Sequence, residues 1–362
     1  AVNAVTIGCV VALNDRLGIF ALVLGTCAGL IAQMLVQLPT LIRIGKYRLE
    51  LHPRHPGIAR MWLLLGPIIV GSAAGQLALF FDRYFASTLT PGYIAGMNYA
   101  TKLVNFPHQI FAAAIATVIF PLLAAHFARE NRAGVRDSVL LGLRLVNFIT
   151  LPSLCVLIVL ARPMVQALFE RGTFQSTATD LCAGLLPFAA VGLVALAANV
   201  VLTRCCFACK ESAWPVAISV MTVLLNIVLS LLWLPTLGAR GLLLANSLSQ
   251  SLQAILLLAL VWRLVNGFDL RTLVISGVRI GVSALVMVGT LHWIHALNAT
   301  PDASLAARAW YLFGQLSISG LVFVAAARIL RVEEIDIVWN LLLEKFARNV
   351  PTPPENREAP IA

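Results

Sequence analysis

The sequence predicts an all-α, polytopic integral membrane protein with about nine full transmembrane helices and a partial one ahead of them. Three observations predict it. Of the 362 residues, 60% are hydrophobic and 12% are charged, whereas a soluble domain averages roughly 45–50% apolar and 25% charged. A soluble fold of this length cannot hide that surplus. The apolar residues also come in runs of about 20, the length a helix needs to cross ~30 Å of hydrocarbon. Finally, the formal charge of +10 sits mostly in short loops between those runs. That is the pattern of membrane orientation, and it excludes nucleic acid as the expected partner.

The elements follow in order. Residues 1–13 are apolar but too short to span, and without an initiating Met the sequence is expected to begin inside a helix. The first complete span covers 17–38. A basic connector, 43–60, follows Pro39 and is interrupted by Pro53 and Pro56. The next span is 61–87. Residues 92–127 exceed one span and contain Pro107 and Pro121, which predicts one long kinked helix. Single spans are expected at 139–160, 178–203, 213–234, 241–262, 273–292 and 310–330. Residues 333–346 are amphipathic, and the Pro-rich tail from 350 is expected to be disordered. Four regions result: 1–58, a bundle end with its connector; 59–264, a six-helix bundle; 265–332, two additional helices; and 333–362, the amphipathic segment and tail.

Orientation comes from summing Lys and Arg on alternate loops. One side holds 17, running from Arg43 through Arg129, Arg204, Arg263 and Arg328 to Arg357. The other holds five: Arg16, Arg162, Arg171, Arg240 and Arg308. The richer side is expected to be cytoplasmic, which places the C-terminus inside.

Four basic residues fall within spans: Arg83, Lys102, Arg144 and Arg279. Such residues face a watery cavity or snorkel to the interface. Arg144, near the start of its span, is expected to snorkel. Asp82 is the one acid deep in a span. It reads either as half of a local ion pair with Arg83 or as a cation ligand facing a cavity. Asn98, Thr101, Lys102 and Asn105 recur at helical spacing and form a polar stripe, expected to line a water-filled path suited to an anionic substrate. Asn226 and Ser230 share a face, and Asn246, Ser249, Gln250 and Gln253 make a further stripe. These suit either hydrogen bonds between helices or, with Asp82, a small hard cation such as Na⁺.

Enzyme signatures are absent: there is no H-E-x-x-H, G-x-S-x-G or Walker A loop. Any transport must draw on ion gradients, membrane potential or the substrate gradient. The seven cysteines are scattered, which excludes a disulfide framework. Cys206 and Cys209 form a C-x-x-C with no second pair or nearby His, so no zinc site is expected.

Four motifs, in order along the chain, carry a family resemblance. The run from Met97 to Pro107 looks like "YADRLxxFP". Leu168 to Phe174 is similar to "LFxxGxF". Leu202 to Ala208, with Pro215, resembles "LxRxFYAxxDxxTP". Asn226 onward, through Pro235, Gly238 and the run from Gly241 to Asn246, follows "NxxxDxxLxPxxGxxGLALAT". Together they resemble the MurJ/MviN family of lipid II flippases, within the multidrug/oligosaccharidyl-lipid/polysaccharide exporter superfamily. The resemblance implies a fourteen-span fold, of which this chain would carry the fifth helix's end through the fourteenth. It implies a bacterial inner-membrane transporter of lipid-linked peptidoglycan precursor, with lipid II and membrane lipids as partners. Lys102 falls at a cavity arginine, and Thr101 replaces the acid before it. Asn98, Asn105 and Arg83 join the expected substrate-binding set. Asp82, Asn226, Ser230, Leu242 and Asn246 fall where some members bind Na⁺. Ser230 stands in place of a second carboxylate there, and Asn246 in place of Thr. The spans at 273–292 and 310–330 correspond to a groove for the prenyl tail. The alternatives are an exporter of lipid-linked polysaccharide or drugs, or a truncated, transport-inactive scaffold.

Overall fold

The computed structural model describes residues 2–44, 56–172, 174–297 and 305–337. Most of the basic connector and of the amphipathic segment, and the whole Pro-rich tail, lie outside the described residues. Among the described residues all regular structure is helical. The chain divides into two compact units, Ala1–Leu63 and Leu64–Ala362.

The first unit is built on a helical hairpin, α1 (Val2–Leu17) and α2 (Ile19–Ile44). Gly18, at φ +51°, turns the chain between them. Gly25 and Gly29 let the backbones meet. A Cβ on Gly29 would stand 2.9 Å from the Val2 carbonyl oxygen. Thr6 fills the contact by donating to the Gly25 carbonyl at 3.2 Å. Small residues and a short hydrogen bond are how helices associate where lipid removes the hydrophobic driving force.

The second unit carries the remaining helices, apart from the first residues of α3. α3 covers Pro56–Ser87. α4 (Tyr93–Pro107) and α5 (Ala113–Ala128) are joined by one turn of π-helix, His108–Ala112. The expected long helix is therefore real, and its irregularity follows Pro107 directly. Proline's missing N–H and its ring displace the ladder there, and the wider turn takes up the extra residue. α6 spans Arg132–Val159 and leads into the short α7, Ala161–Phe169.

The single span expected at 178–203 is instead two helices, α8 (Ser176–Ala190) and α9 (Leu193–Ala208), bent by 44°. Pro187 removes one N–H before the break. At the break Gly192 lies against Ser247, whose Cα would sit 2.9 Å from an added Cβ. The Ser247 hydroxyl donates to the Phe188 carbonyl at 2.9 Å, serving an acceptor at the interrupted ladder. Helical periodicity did not expose this contact because Ser247 is 59 residues away.

α10 (Ala213–Leu237) and α11 (Ala239–Leu264) form a tight corner at Gly238, φ +57°. α12 (Leu270–Leu297) and α13 (Leu305–Ile329) complete the unit. Three larger seams make up most of its core, and Phe85, Ala86 and Leu242 form a smaller fourth between α3 and α11. Leu123, Val139, Val201 and Leu257 join α5, α6, α9 and α11. Leu103, Val165 and Leu186 join α4, α7 and α8. Ile280, Met287 and Phe323 join α12 and α13 to Leu160, at the junction of α6 and α7. Leu231, Leu285 and Leu321 remain more than half exposed, as lipid-facing residues do.

Seven helices among the described residues are long and apolar enough to cross a membrane, and the bent α8–α9 pair makes an eighth. The protein is thus an all-helical, multi-spanning membrane protein.

Candidate functional site

Asp82 and Arg83 are successive on α3, so their side chains leave the helix about 100° apart. Both nonetheless border one cavity of about 200 Å³, and no ion pair joins them among the described residues. Asn98, Thr101 and Asn105, one turn apart on α4, supply the facing wall. Ala189, Gly192 and Leu196 border it at the α8–α9 break, so the bend that Pro187 and Gly192 create also shapes the cavity. Leu242, Asn246 and Gln250 close it from α11.

Lys102 does not join the stripe predicted for it. Its three partners border the cavity, but Lys102 is exposed on the neighbouring face. Its Nζ lies 5.5 Å from the centre of the Tyr99 ring. The physical reason is the step of about 100° per residue, which turns position 102 away from 101 and 105. Among the described residues, Arg83 is therefore the cation that borders the cavity.

The expected cation set is brought partly together. Asp82, Leu242 and Asn246 border the cavity. Asn226 is buried on α10 and donates from Nδ2 to Asp82 Oδ1 at 3.3 Å. Ser230, one turn on, is fully buried. The Asn226 Oδ1 and Ser230 Oγ atoms have no hydrogen-bond partner among the described residues. Orphaned neutral oxygens beside one carboxylate are the donor chemistry of a hard monovalent cation, so these residues fit Na⁺.

Sequence reading missed Asn199. It donates from Nδ2 to both the carbonyl and Oε1 of Gln250, at 3.1 and 2.9 Å, and so fixes the amide at the cavity's end. A lone Asn in the apolar run of α9 was the available signal.

Arg144 needs a second correction. It does not snorkel freely, because its Nε donates to Glu334 Oε1 at 2.5 Å and its Nη2 to Glu333 at 2.8 Å. Glu334 is 1% exposed and also accepts from the Ser276 hydroxyl on α12. Burial pushes the Glu334 pKa up, but the Arg144 and Ser276 hydrogen bonds more than offset it and hold the carboxyl below its ordinary value. A second clasp sits at the other end of α13. There Arg308 donates to Glu170 at 2.9 Å, and Thr179 donates to the same carboxylate.

Two of the recognised motifs meet in space. Tyr99 of α4 packs its ring against Phe169 and Phe174, at 4.7 and 5.2 Å between centres.

The comparisons agree with this fold. The family model described as "Lipid II flippase MurJ" matches residues 1–306. The probable lipid II flippase MurJ of Vibrio cholerae is 30% identical over 320 residues, covering 86% of this chain and 58% of that protein. The lipid II flippase MurJ of Burkholderia cenocepacia is 29% identical over 292 residues, covering 78% and 56%. The chain thus spans under two thirds of the length of these curated relatives. A solved lipid II flippase MurJ in its inward closed conformation shares the fold at TM-score 0.75 and 21% identity, covering 92% of this chain and 67% of that one. With a family model matched over most of its length, this chain belongs to the MurJ family of lipid II flippases.

Proposed function

We propose that this chain serves a lipid II flippase, a transporter rather than an enzyme, that moves the undecaprenyl-diphosphate-linked precursor from inner to outer leaflet. The observation that carries the reading is the polar cavity walled by membrane-spanning helices, with Arg83 at its border and Asn98, Thr101, Asn105, Asn246 and Gln250 around it. In a bilayer, polar side chains of this density are kept for a path or a cargo. A guanidinium offers a diphosphate a two-pronged hydrogen bond, and the amides and hydroxyl can serve its sugar and peptide groups. Lys102, exposed on the adjoining face, adds a second positive charge for drawing the anion in.

The cycle proposed is alternating access of two helical bundles. Residues 59–264 form the moving bundle, and 265–332 the groove for the prenyl tail. A negative-inside potential favours outward movement of an anion by roughly 2.3 kcal/mol per charge per 100 mV. Na⁺, when bound, would be held by Asp82, Asn226, Ser230, Asn246 and the Leu242 carbonyl. It would supply a fixed positive charge beside the cavity. α3 would be the seventh crossing, the C-terminus would be cytoplasmic, and the membrane would be the bacterial inner one.

The test is growth of a flippase-depleted strain carrying the gene that encodes this chain. Arg83→Ala is expected to abolish rescue and Lys102→Ala to weaken it, with normal protein levels in the membrane. Full growth of the Arg83→Ala strain would remove the cavity cation from the mechanism. Rescue that needs a lipid-linked polysaccharide pathway instead would reassign the cargo.

A further inference from the structure

Asn199 does not border the cavity. It is buried on α9 and touches Gln250, which does. Its Nδ2 donates twice, to the Gln250 backbone carbonyl at 3.1 Å and to Gln250 Oε1 at 2.9 Å. The first bond settles which way the Asn199 amide faces, because a backbone carbonyl oxygen only accepts and would repel Oδ1. That orientation settles the next one. With an Asn199 N–H pointing at it, the near atom of the Gln250 amide has to be its oxygen. The Gln250 Nε2, with two N–H donors, is the end left over. It is accessible and has no hydrogen-bond partner among the described residues. An amide pair that only joined α9 to α11 would close a ring, each group donating to the other. Here the ring stays open, and the Asn199 Oδ1 is buried with no partner among the described residues. Leaving a buried acceptor unpaired costs stability, which reciprocal pairing would avoid. The open arrangement instead leaves a pair of donors free at the cavity.

We infer that the Gln250 Nε2 group is a cargo-binding donor and that Asn199 is the positioning residue that holds it in that sense. The inference rests on the lipid-linked cargo proposed above and names the group recognised. That group is a neutral carbonyl oxygen of the cargo's sugar and peptide headgroup, an N-acyl or peptide C=O. Charge decides between the headgroup and the diphosphate. A primary amide carries no charge, whereas Arg83, on the same cavity, supplies the guanidinium that an anion prefers. A site built around one hydrogen bond discriminates against a ligand that lacks the matching group. Asn199 and Gln250 together thus set a preference for the decorated headgroup over the bare diphosphate.

The test measures binding of lipid II and of undecaprenyl diphosphate to the full chain in detergent by native mass spectrometry, with thermal unfolding alongside. Gln250→Ala should weaken lipid II binding roughly 3- to 10-fold, the worth of one hydrogen bond, and leave undecaprenyl diphosphate unchanged. Gln250→Glu, the same shape with an acceptor in place of the donor, should weaken lipid II at least as much. Asn199→Leu is close to asparagine in shape, removes the unpaired oxygen and suits an apolar helix. It should show the same selective loss with no fall in the unfolding midpoint. In the Gln250→Ala background it should add nothing. A purely structural Asn199 predicts the reverse, a lower midpoint and no selectivity between the lipids. Equal loss for both lipids would move the contact to the diphosphate and overturn the assignment. Additive losses would overturn Asn199 as acting through Gln250. Lipid II binding that survives both Gln250 variants would overturn the donor, and those two variants decide that point even if Asn199→Leu does not fold. A folded wild type that binds neither lipid would instead remove the flippase reading itself, so the two failures are distinct.

Discussion

Glu334 shows how one carboxylate can organise its surroundings. It lies just past α13, yet it is as buried as any core leucine, and it joins Arg144 of α6 to Ser276 of α12. Removing one partner of a buried pair strands the other, which costs about 3 kcal/mol. Glu334→Ala should therefore lower the thermal unfolding midpoint in micelles more than Glu333→Ala, whose side chain is 70% exposed. The pH dependence has a definite sign. The folded pKa lies below the ordinary value of 4.5, so the contribution is complete at neutral pH. It is lost as pH falls below 4.5 through the folded value. The midpoint difference between wild type and Glu334→Gln should shrink on acidification, and a constant difference down to acid would refute the linkage.

Close helix crossings govern the next scale. An added methyl at Gly192 meets the Ser247 Cα at 2.9 Å, and at Gly241 it meets the Trp233 carbonyl oxygen at 2.7 Å. Backbone cannot step aside as a side chain can, so Gly192→Ala and Gly241→Ala should each destabilise by about 1–3 kcal/mol. At Gly96 the obstacle is the tip of Leu181 at 2.2 Å, a flexible end that can rotate. Gly96→Ala should be tolerated, and a thermal-shift series of the three variants checks the ranking. A larger loss at Gly96 than at Gly192 would contradict the backbone argument. The bend at Gly192 also borders the cavity, so Gly192→Ala should impair rescue of growth beyond its effect on protein level.

Across the whole molecule, what sequence made legible was whatever repeats locally. Apolar runs mark the spans, because a bilayer imposes one rule on every segment, and the uneven distribution of arginine supplies an expected polarity. Asn98, Thr101 and Asn105 were legible as a stripe because three- and four-residue spacing repeats on one helix face. Lys102 was misplaced within that stripe because a step of about 100° decides the matter and spacing alone tolerates it. Arg144 and Glu334 stand 190 positions apart, and Gly192 meets a serine on another helix. Neither contact has a local period, so neither left a trace in the sequence. The expected polarity is itself testable: a reporter fused after Ala362 should be active on the cytoplasmic side, and periplasmic activity would invert the whole assignment.

The π turn at His108–Ala112 makes the length of this chain unevenly negotiable. A π turn stores one residue more than an α turn needs while leaving the flanking helices in phase. Deleting exposed Gln109 should convert it to plain α-helix and leave Ala116, Ile119 and Leu123 facing their seam. Deleting Ala114, only a few residues on, removes a residue from regular helix. Everything after it then rotates by about 100° relative to α4, which turns that seam toward lipid. One deletion should give a stable protein and its neighbour an aggregate. The surplus residue is thus slack in the thread, and it records where this helix can gain or lose a residue without its two halves losing step.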